Sequence, residues 1–234
     1  MTLPNDKPHA GEPLRFRFCQ RNAFRALLFD WDGVVVDSGA DYFRAYELAL
    51  GPEGLNISPR EVFLHEGRRT AEVIAALFAD RGIPLSEAKL QDLVVRRKAC
   101  YERTARHLFF DRIWDFLRAI REAGYKLGLV TGSSRVTDVL PLTPEREQYF
   151  DAVVTADDIR NPKPDPEQYR VAIARLGVPP LNCLAVENAP CGIESAHRAG
   201  CRAIALCTTL QAQDLHEAEW VVAGHPELRA LLES

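Results

Sequence analysis

Short apolar runs that end abruptly at polar residues recur along the chain and constrain its fold more than any other feature. None of them alternates apolar with polar residues. They lie at residues 26–29, 127–130, 152–154, 183–186, 203–206 and 220–222. A strand that is apolar at every position is buried on both faces, as in a parallel sheet covered by helices. The runs therefore predict the strands of a buried parallel sheet.

Helical patterns fill the gaps between the later runs, and each is closed by a glycine. The patterns and their closing glycines are 113–120 with Gly124, 169–176 with Gly177, and 190–199 with Gly200. Glycine commonly ends a helix because it adopts the left-handed backbone conformation freely. The alternation of strands and helices predicts an α/β fold with a doubly wound sheet.

The segment 39–110 breaks this alternation, because it carries helical stripes and no strand-like run. We expect an inserted helical cap there, with the core formed by residues 23–38 and 111–234. Residues 1–22 are polar and have no continuous apolar stretch. They are expected to be an N-terminal extension that can be disordered.

Composition excludes several classes of protein. The net charge of −4 argues against nucleic acid as a partner, because phosphate backbones demand clustered positive charge. The six cysteines contain no CxxC pair and are expected to be buried thiols in a reducing cytosol. With neither a signal peptide nor a membrane span in view, we expect a cytoplasmic protein, a monomer or a small homo-oligomer.

Polar residues follow three of the apolar runs, at the sheet edge where ligands of α/β proteins bind. Asp30 and Asp32 follow the first run, Thr131 follows the second, and Glu187 with Asn188 follows the fourth. Residues i and i+2 of an extended segment point the same way, so Asp30 and Asp32 can share one site. Paired carboxylates repel each other and favour a hard cation such as Mg²⁺.

Two further segments suit a phosphate group. Thr131, Gly132 and Ser133 form a hydroxyl-rich turn before a helix start, where free backbone N–H groups attract anions. Lys163 stands between prolines in a chain that uses 24 arginines and only five lysines. A compact ammonium charge held in a stiff segment indicates a phosphate ligand.

Together these motifs resemble the haloacid dehalogenase superfamily, specifically its phosphoglycolate phosphatase and β-phosphoglucomutase-like group. The four motifs stand in order at residues 29–38, 130–134, 163–166 and 186–193. The resemblance implies a Rossmann-like core with a helical cap and a Mg²⁺-dependent phosphatase that acts on a small phosphorylated metabolite, a sugar phosphate or phosphoglycolate.

The resemblance also implies roles for the motif residues. Asp30 would be the nucleophile that forms an aspartyl-phosphate, and Asp32 would be the acid and base and bind Mg²⁺ through its backbone carbonyl. Thr131 and Lys163 would hold the phosphoryl group. The family's metal-binding Asp of the fourth motif is here Asn188, which predicts a weaker Mg²⁺ site centred on Asp30, Glu187 and Asn188.

Cap residues are expected to set the substrate. Arg68 and Arg69 resemble the cap loop that faces the active site, and Arg135 follows the second motif. The basic run at residues 96–98 is interpreted as the solvated face of a cap helix.

Single residues bear on the alternatives to a phosphatase. A β-phosphoglucomutase-like phosphotransferase is less favoured, because those enzymes carry a His where this chain places Tyr42. Dehalogenase chemistry dispenses with the second acid, which is present here as Asp32. Schiff-base chemistry needs a cap lysine, and residues 8–88 contain no lysine. A catalytically weak relative that binds a phosphometabolite stays open because of Asn188.

Overall fold

A six-stranded, all-parallel sheet forms the centre of the protein. The computed structural model describes residues 16–134 and 142–234. The strands are β1 (Ala26–Phe29), β2 (Lys126–Val130), β3 (Ala152–Val154), β4 (Cys183–Glu187), β5 (Arg202–Leu206) and β6 (Trp220–Val222), in the order β3-β2-β1-β4-β5-β6. Each predicted run is therefore a strand, and the predicted α/β fold is confirmed.

Helices cover both faces of the sheet. They are α1 (Arg17–Arg21), α2 (Gly39–Leu50), α3 (Pro59–Phe63), α4 (Thr70–Ala79), α5 (Glu87–Thr104), α6 (Ile113–Glu122), α7 (Pro144–Glu147), α8 (Glu167–Leu176), α9 (Pro190–Arg198) and α10 (His225–Glu233). Alternate residues of β1 point into different cores: Leu27 and Phe29 pack with α1, α6 and α10, whereas Ala26 and Leu28 pack with α8 and α9.

Five helices, α2–α6, lie between β1 and β2. The first four have a core of their own, which includes Tyr46, Ile74, Leu77 and Leu93. Helix α6 instead packs on the sheet through its predicted apolar stripe. This grouping supports the predicted cap at 39–110, which we keep as a proposal.

The N-terminal segment differs from the expectation. Residues 1–15 lie outside the described residues. Residues 17–21 form α1, and Phe16, Phe18 and Cys19 are buried. The Phe18 ring packs edge-on against Trp220 at a centroid distance of 5.0 Å. These aromatic residues bury enough apolar surface to join the core, although polar residues surround them in sequence.

Two further expectations concern the state of the cysteines and the presence of a membrane-spanning helix. Each of the six cysteines is a free thiol, and five are buried, with Cys207 partly exposed. In the described parts of the chain, no helix combines the length and apolar character needed to span a bilayer.

Candidate active site

Strand register brings the first and second motifs together. Phe29 of β1 pairs with Leu129 of β2 and Val186 of β4, so the residues that follow these strands meet at one edge. Asp30 is buried, and the Asp32 carboxylate accepts a hydrogen bond from Ser133 Oγ at 3.1 Å.

The turn after Asp32 requires glycine. Gly33 has φ +72°, and a Cβ at this position would lie 2.2 Å from Asn188 Nδ2. The close approach of the first and fourth motifs therefore depends on the missing side chain.

Lys163 connects the first and fourth motifs. Its buried ammonium group donates to Asp30 Oδ1 and to Glu187 Oε1, both at 2.7 Å, and lies 3.4 Å from the Val130 carbonyl oxygen. Thus the five-lysine count in the sequence singled out the cation at the centre of the site.

Burial and charge determine the ionisation of this cluster. Burial raises the pKa of Asp30 to about 7, with Lys163 opposing and Glu187 adding to the rise. Burial alone would lower the pKa of Lys163, but Asp30 and Glu187 outweigh it and the net shift is upward. Lys163 is therefore a permanent cation beside a carboxylate that titrates near neutral pH.

Glu187 is held on several sides. Besides Lys163, it accepts hydrogen bonds from Tyr169 Oη at 2.6 Å and from the Asn188 backbone N–H at 3.2 Å. A Cβ on Gly192 would lie 2.1 Å from its carboxyl carbon, so the glycine makes room for it. The Tyr169 contact was not predicted from the sequence, because Tyr169 belongs to the apolar stripe of α8.

The three predicted phosphate-binding residues of the second motif differ in accessibility. Gly132 and Ser133 line the cavity above Asp30 and Asp32. Thr131 is buried, and its Oγ1 accepts from the Ser133 backbone N–H at 3.0 Å. The structure thus brings all predicted catalytic residues to one edge of the sheet.

The cap lines one side of the cavity, which has a volume of about 130 Å³. Its cap-side lining includes Tyr42, Glu66, Arg68, Arg97 and Tyr101.

Arg97 corrects the interpretation of the basic run as a solvated helix face. Its guanidinium group lies over the rings of Tyr42, Tyr46 and Tyr101, at 4.7, 4.8 and 5.0 Å from their centroids. The neighbouring Arg96 does fit the interpretation, because its side chain is partly exposed and pairs with Glu53 and Asp92.

The three arginines predicted to bind substrate have different outcomes. Arg68 lines the cavity, with Nε 3.2 Å from Cys191 Sγ. Arg69 is exposed and does not line this cavity. Its guanidinium group instead donates to the Arg160 carbonyl oxygen at 2.7 Å. Arg135 lies outside the described residues.

Glu66 is the functional candidate that sequence reasoning missed. It is 4% exposed, and its Oε2 accepts a hydrogen bond from Asn188 Nδ2 at 3.0 Å. Burial raises the pKa of Glu66 well above its ordinary value, with Asp32 and Asp30 adding to the rise. Its place directly before the cap-loop arginines was the available signal.

The oxygen atoms around Asp30 fit a hard cation. Within residues 16–134 and 142–234, no three His, Cys, Asp or Glu side chains are already arranged around a metal position. Two buried oxygens, Asn188 Oδ1 and Glu66 Oε1, nevertheless have no hydrogen-bond partner among the described residues. Mg²⁺ commonly takes one or two carboxylates and completes its shell with substrate phosphate and water, which this donor set allows.

Comparison with known proteins now decides the family. A family model described as haloacid dehalogenase-like hydrolase matches residues 24–200, more than half of the chain. The chain belongs to the haloacid dehalogenase-like hydrolase family. The predicted membership and hydrolase class are thereby confirmed, and members of this family are typically Mg²⁺-dependent.

Several members of this family are similar over most of their length. The validoxylamine A 7'-phosphate phosphatase of Streptomyces hygroscopicus subsp. limoneus is 29% identical over 210 residues, covering 88% of this chain and 96% of that protein. The fructose-1-phosphate phosphatase YqaB of Escherichia coli (strain K12) is 27% identical over 186 residues, covering 77% and 95%. A solved structure from Bacteroides vulgatus, a candidate β-phosphoglucomutase, has a TM-score of 0.77 and 26% identity, covering 93% and 96%.

Proposed function

We propose that this chain is a Mg²⁺-dependent phosphatase that hydrolyses a small phosphorylated metabolite of the sugar phosphate or phosphoglycolate class. The observation that carries the proposal is the Lys163 ammonium group, held 2.7 Å from Asp30 in a cavity that Asp32 also lines. A permanent cation beside a buried carboxylate supplies both a phosphate-binding charge and a nucleophile.

In the first step, an Asp30 carboxylate oxygen attacks phosphorus and the bond to the leaving alcohol oxygen breaks. Asp32 donates a proton to that oxygen, so the alcohol leaves neutral and an aspartyl-phosphate stays on Asp30. The Asp32–Ser133 hydrogen bond of 3.1 Å orients the acid toward the cavity.

In the second step, the ionised Asp32 takes a proton from a water molecule. The water oxygen attacks phosphorus, the bond to Asp30 breaks, and inorganic phosphate is released. Lys163 and the Gly132 backbone N–H stabilise negative charge on the phosphoryl oxygens in both steps.

The Mg²⁺ would be held by Asp30, the Asp32 backbone carbonyl and Asn188 Oδ1. Glu187 would lie next to these ligands. The bound cation reduces the repulsion between the Asp30 carboxylate and the substrate phosphate. These residues also explain why the hard, oxygen-binding cation is favoured over softer metals.

The proposed substrate class is supported by the cap residues that line the cavity and by the named substrates of the relatives. Arg68 and Arg97 give the cavity two cap-supplied cations, which suit an anionic or polyhydroxylated leaving group. The named substrates of two relatives, validoxylamine A 7'-phosphate and fructose 1-phosphate, are small phosphorylated metabolites.

Phosphate release from p-nitrophenyl phosphate with millimolar Mg²⁺ tests the proposal. Asp30→Asn is expected to lower the rate by at least about 1,000-fold, because the amide is not a nucleophile. The matched control is Asp37→Asn, an exposed aspartate of the same segment, which should retain the rate. A wild-type protein without activity would favour the phosphometabolite-binding alternative, and an active Asp30→Asn variant would exclude the covalent mechanism.

A further inference from the structure

A hydrogen bond to Asn188 of the fourth motif sets Glu66 apart from the other carboxylates of the cavity. Glu66 belongs to the loop between α3 and α4, and Asn188 follows β4, 122 positions later in the chain. Asn188 Nδ2 donates to Glu66 Oε2 at 3.0 Å and to Thr209 Oγ1 at 3.1 Å. The amide group therefore fixes the position of a carboxylate that comes from the other side of the cavity.

Each partner in this contact keeps one oxygen without a hydrogen bond. Glu66 is 4% exposed and Asn188 is fully buried, and neither Glu66 Oε1 nor Asn188 Oδ1 has a partner among the described residues. Buried oxygens are almost always satisfied, so two orphaned ones in contacting side chains indicate a ligand that both can reach.

Charge distinguishes the two side chains. Asn188 supplies a neutral amide oxygen, whereas Glu66 can supply a carboxylate to the cavity that Asp30 and Asp32 also line. The third carboxylate at this edge, Glu187, already accepts hydrogen bonds from Lys163 and Tyr169. Glu66 is thus the cavity carboxylate with a free oxygen next to Asn188.

We propose that Glu66 is a cap-supplied carboxylate of the Mg²⁺ site, positioned by Asn188, so that Mg²⁺ binding and closure of the cap loop are coupled. The inference rests on the proposed function, because that function is the reason to expect Mg²⁺ in this cavity. If the protein binds Mg²⁺ more tightly when the loop is closed, Mg²⁺ binding must stabilise the closed loop.

Magnesium titration by calorimetry, without substrate, tests the charge. Glu66→Gln keeps an oxygen for the Asn188 amide but removes the charge, and it is expected to weaken Mg²⁺ binding about 10-fold or more. Glu66→Asp, which keeps the charge, should retain most of the affinity. The matched control is Glu72→Gln, an exposed glutamate at the start of α4, which should bind like the wild type.

A charge swap separates a metal-binding role from a structural one. Asn188→Asp is expected to tighten Mg²⁺ binding, and the double variant Glu66→Gln/Asn188→Asp should return it to near the wild-type value. Wild-type affinity in Glu66→Gln, or no recovery in the double variant, overturns the proposal. A structural role for Glu66 alone would not be repaired by a charge at position 188.

Hydrogen exchange tests the coupling to the cap. Mg²⁺ should slow exchange of the backbone amides at residues 64–70 in the wild type and leave them unchanged in Glu66→Gln. Equal slowing in both proteins contradicts the coupling. The p-nitrophenyl phosphate assay is separate, so an inactive protein that still binds Mg²⁺ through Glu66 would defeat the proposed function and leave this inference standing.

Discussion

The two walls of the cavity are built in different ways. On the core wall, Asp30, Lys163 and Glu187 form a buried ionic cluster with both contacts at 2.7 Å. On the cap wall, Arg97 rests on tyrosine rings, and Glu66 makes one hydrogen bond to the core.

The difference separates reaction chemistry from recognition. Asp30 directly follows β1 and Glu187 ends β4, so sheet register fixes both residues whatever the cap does. Lys163 lies in the loop after β3 and contacts both carboxylates. Cap-wall residues reach the cavity only through the packing of α2–α5 against one another. We therefore expect core-wall variants to lose turnover and to change stability, and cap-wall variants to change substrate or metal affinity at nearly unchanged stability.

The largest effect is expected from Lys163→Met. Removing the ammonium leaves Asp30 and Glu187 facing each other in a buried site, which should cost about 3 kcal/mol of unfolding free energy at pH 8. Loss of a phosphate-binding charge should lower kcat/KM by about 1,000-fold. Chemical denaturation and the aryl phosphate assay measure the two losses.

Two companions sharpen this result. Lys89→Met removes a surface lysine that pairs with Glu53, and such a pair contributes at most about 1 kcal/mol. Lys163→Met/Glu187→Gln removes one of the opposed carboxylates and should recover part of the stability but none of the activity. Equal losses in the Lys89 and Lys163 variants would contradict a special role of the buried ionic cluster.

The core wall could be predicted from the sequence because its physics is local. An all-apolar run followed by Asp30 or Thr131 identifies a strand end, and parallel strands bring such ends to one edge. Even Lys163 was visible, as a lone lysine between prolines in an arginine-rich chain. The Tyr169 contact was not visible, because an apolar helix stripe does not show which hydroxyl reaches the end of a strand in the sheet beneath it.

The cap wall was predicted only in part, because it depends on how four helices pack. Charge pattern alone made Arg97 a solvated residue, yet three tyrosines from different turns of α2 and α5 surround it. Arg68 and Arg69 were equivalent in sequence, but the loop turns only Arg68 toward the cavity. Glu66 was not predicted, because its burial and its contact with Asn188 depend on tertiary packing and leave no pattern in the sequence.

Gly192→Ala should have the next largest effect. A Cβ there would overlap the Glu187 carboxyl group at 2.1–2.2 Å, with the backbone of α9 unable to move away freely. We expect a loss of about 1–3 kcal/mol, from overpacking, and about 10–100-fold in kcat/KM, because Glu187 would shift against Lys163.

Gly51→Ala is the matched control for that variant. Its φ is −53°, and a Cβ would meet no atom within 4 Å, so the change should be neutral or slightly stabilising. Thermal unfolding compares the two. A neutral Gly192→Ala would show that Glu187 is not held as tightly as its contacts indicate.

Arg97→Gln tests the cap wall by itself. The guanidinium lies against three rings and faces the cavity without a carboxylate within 4 Å among the described residues. We expect KM to rise about 10-fold for phosphoglycolate, whose carboxylate it can bind, and to change little for p-nitrophenyl phosphate. Arg96→Gln, on the same helix but outside the cavity, is the control. Equal KM changes for both substrates would contradict a role in recognition.

The smallest effect is a pH-dependent difference in stability between the wild type and Asp30→Asn, measured without Mg²⁺. The pKa of Asp30 rises from 3.8 to about 7 on folding, mainly through burial. The folded protein therefore holds this proton more tightly than the unfolded chain. Its stabilising contribution is complete below about pH 4 and is lost as pH rises through 7. Asparagine cannot ionise, so the variant should gain on the wild type between pH 4 and 8, reaching about 1–2 kcal/mol or about 2–8 °C in Tm. Asp37→Asn should show no such trend. The stability difference could instead be constant over this range, or could favour the wild type as pH rises. Either result would mean that Lys163 fully compensates the Asp30 charge, so that ionised Asp30 does not destabilise the folded protein.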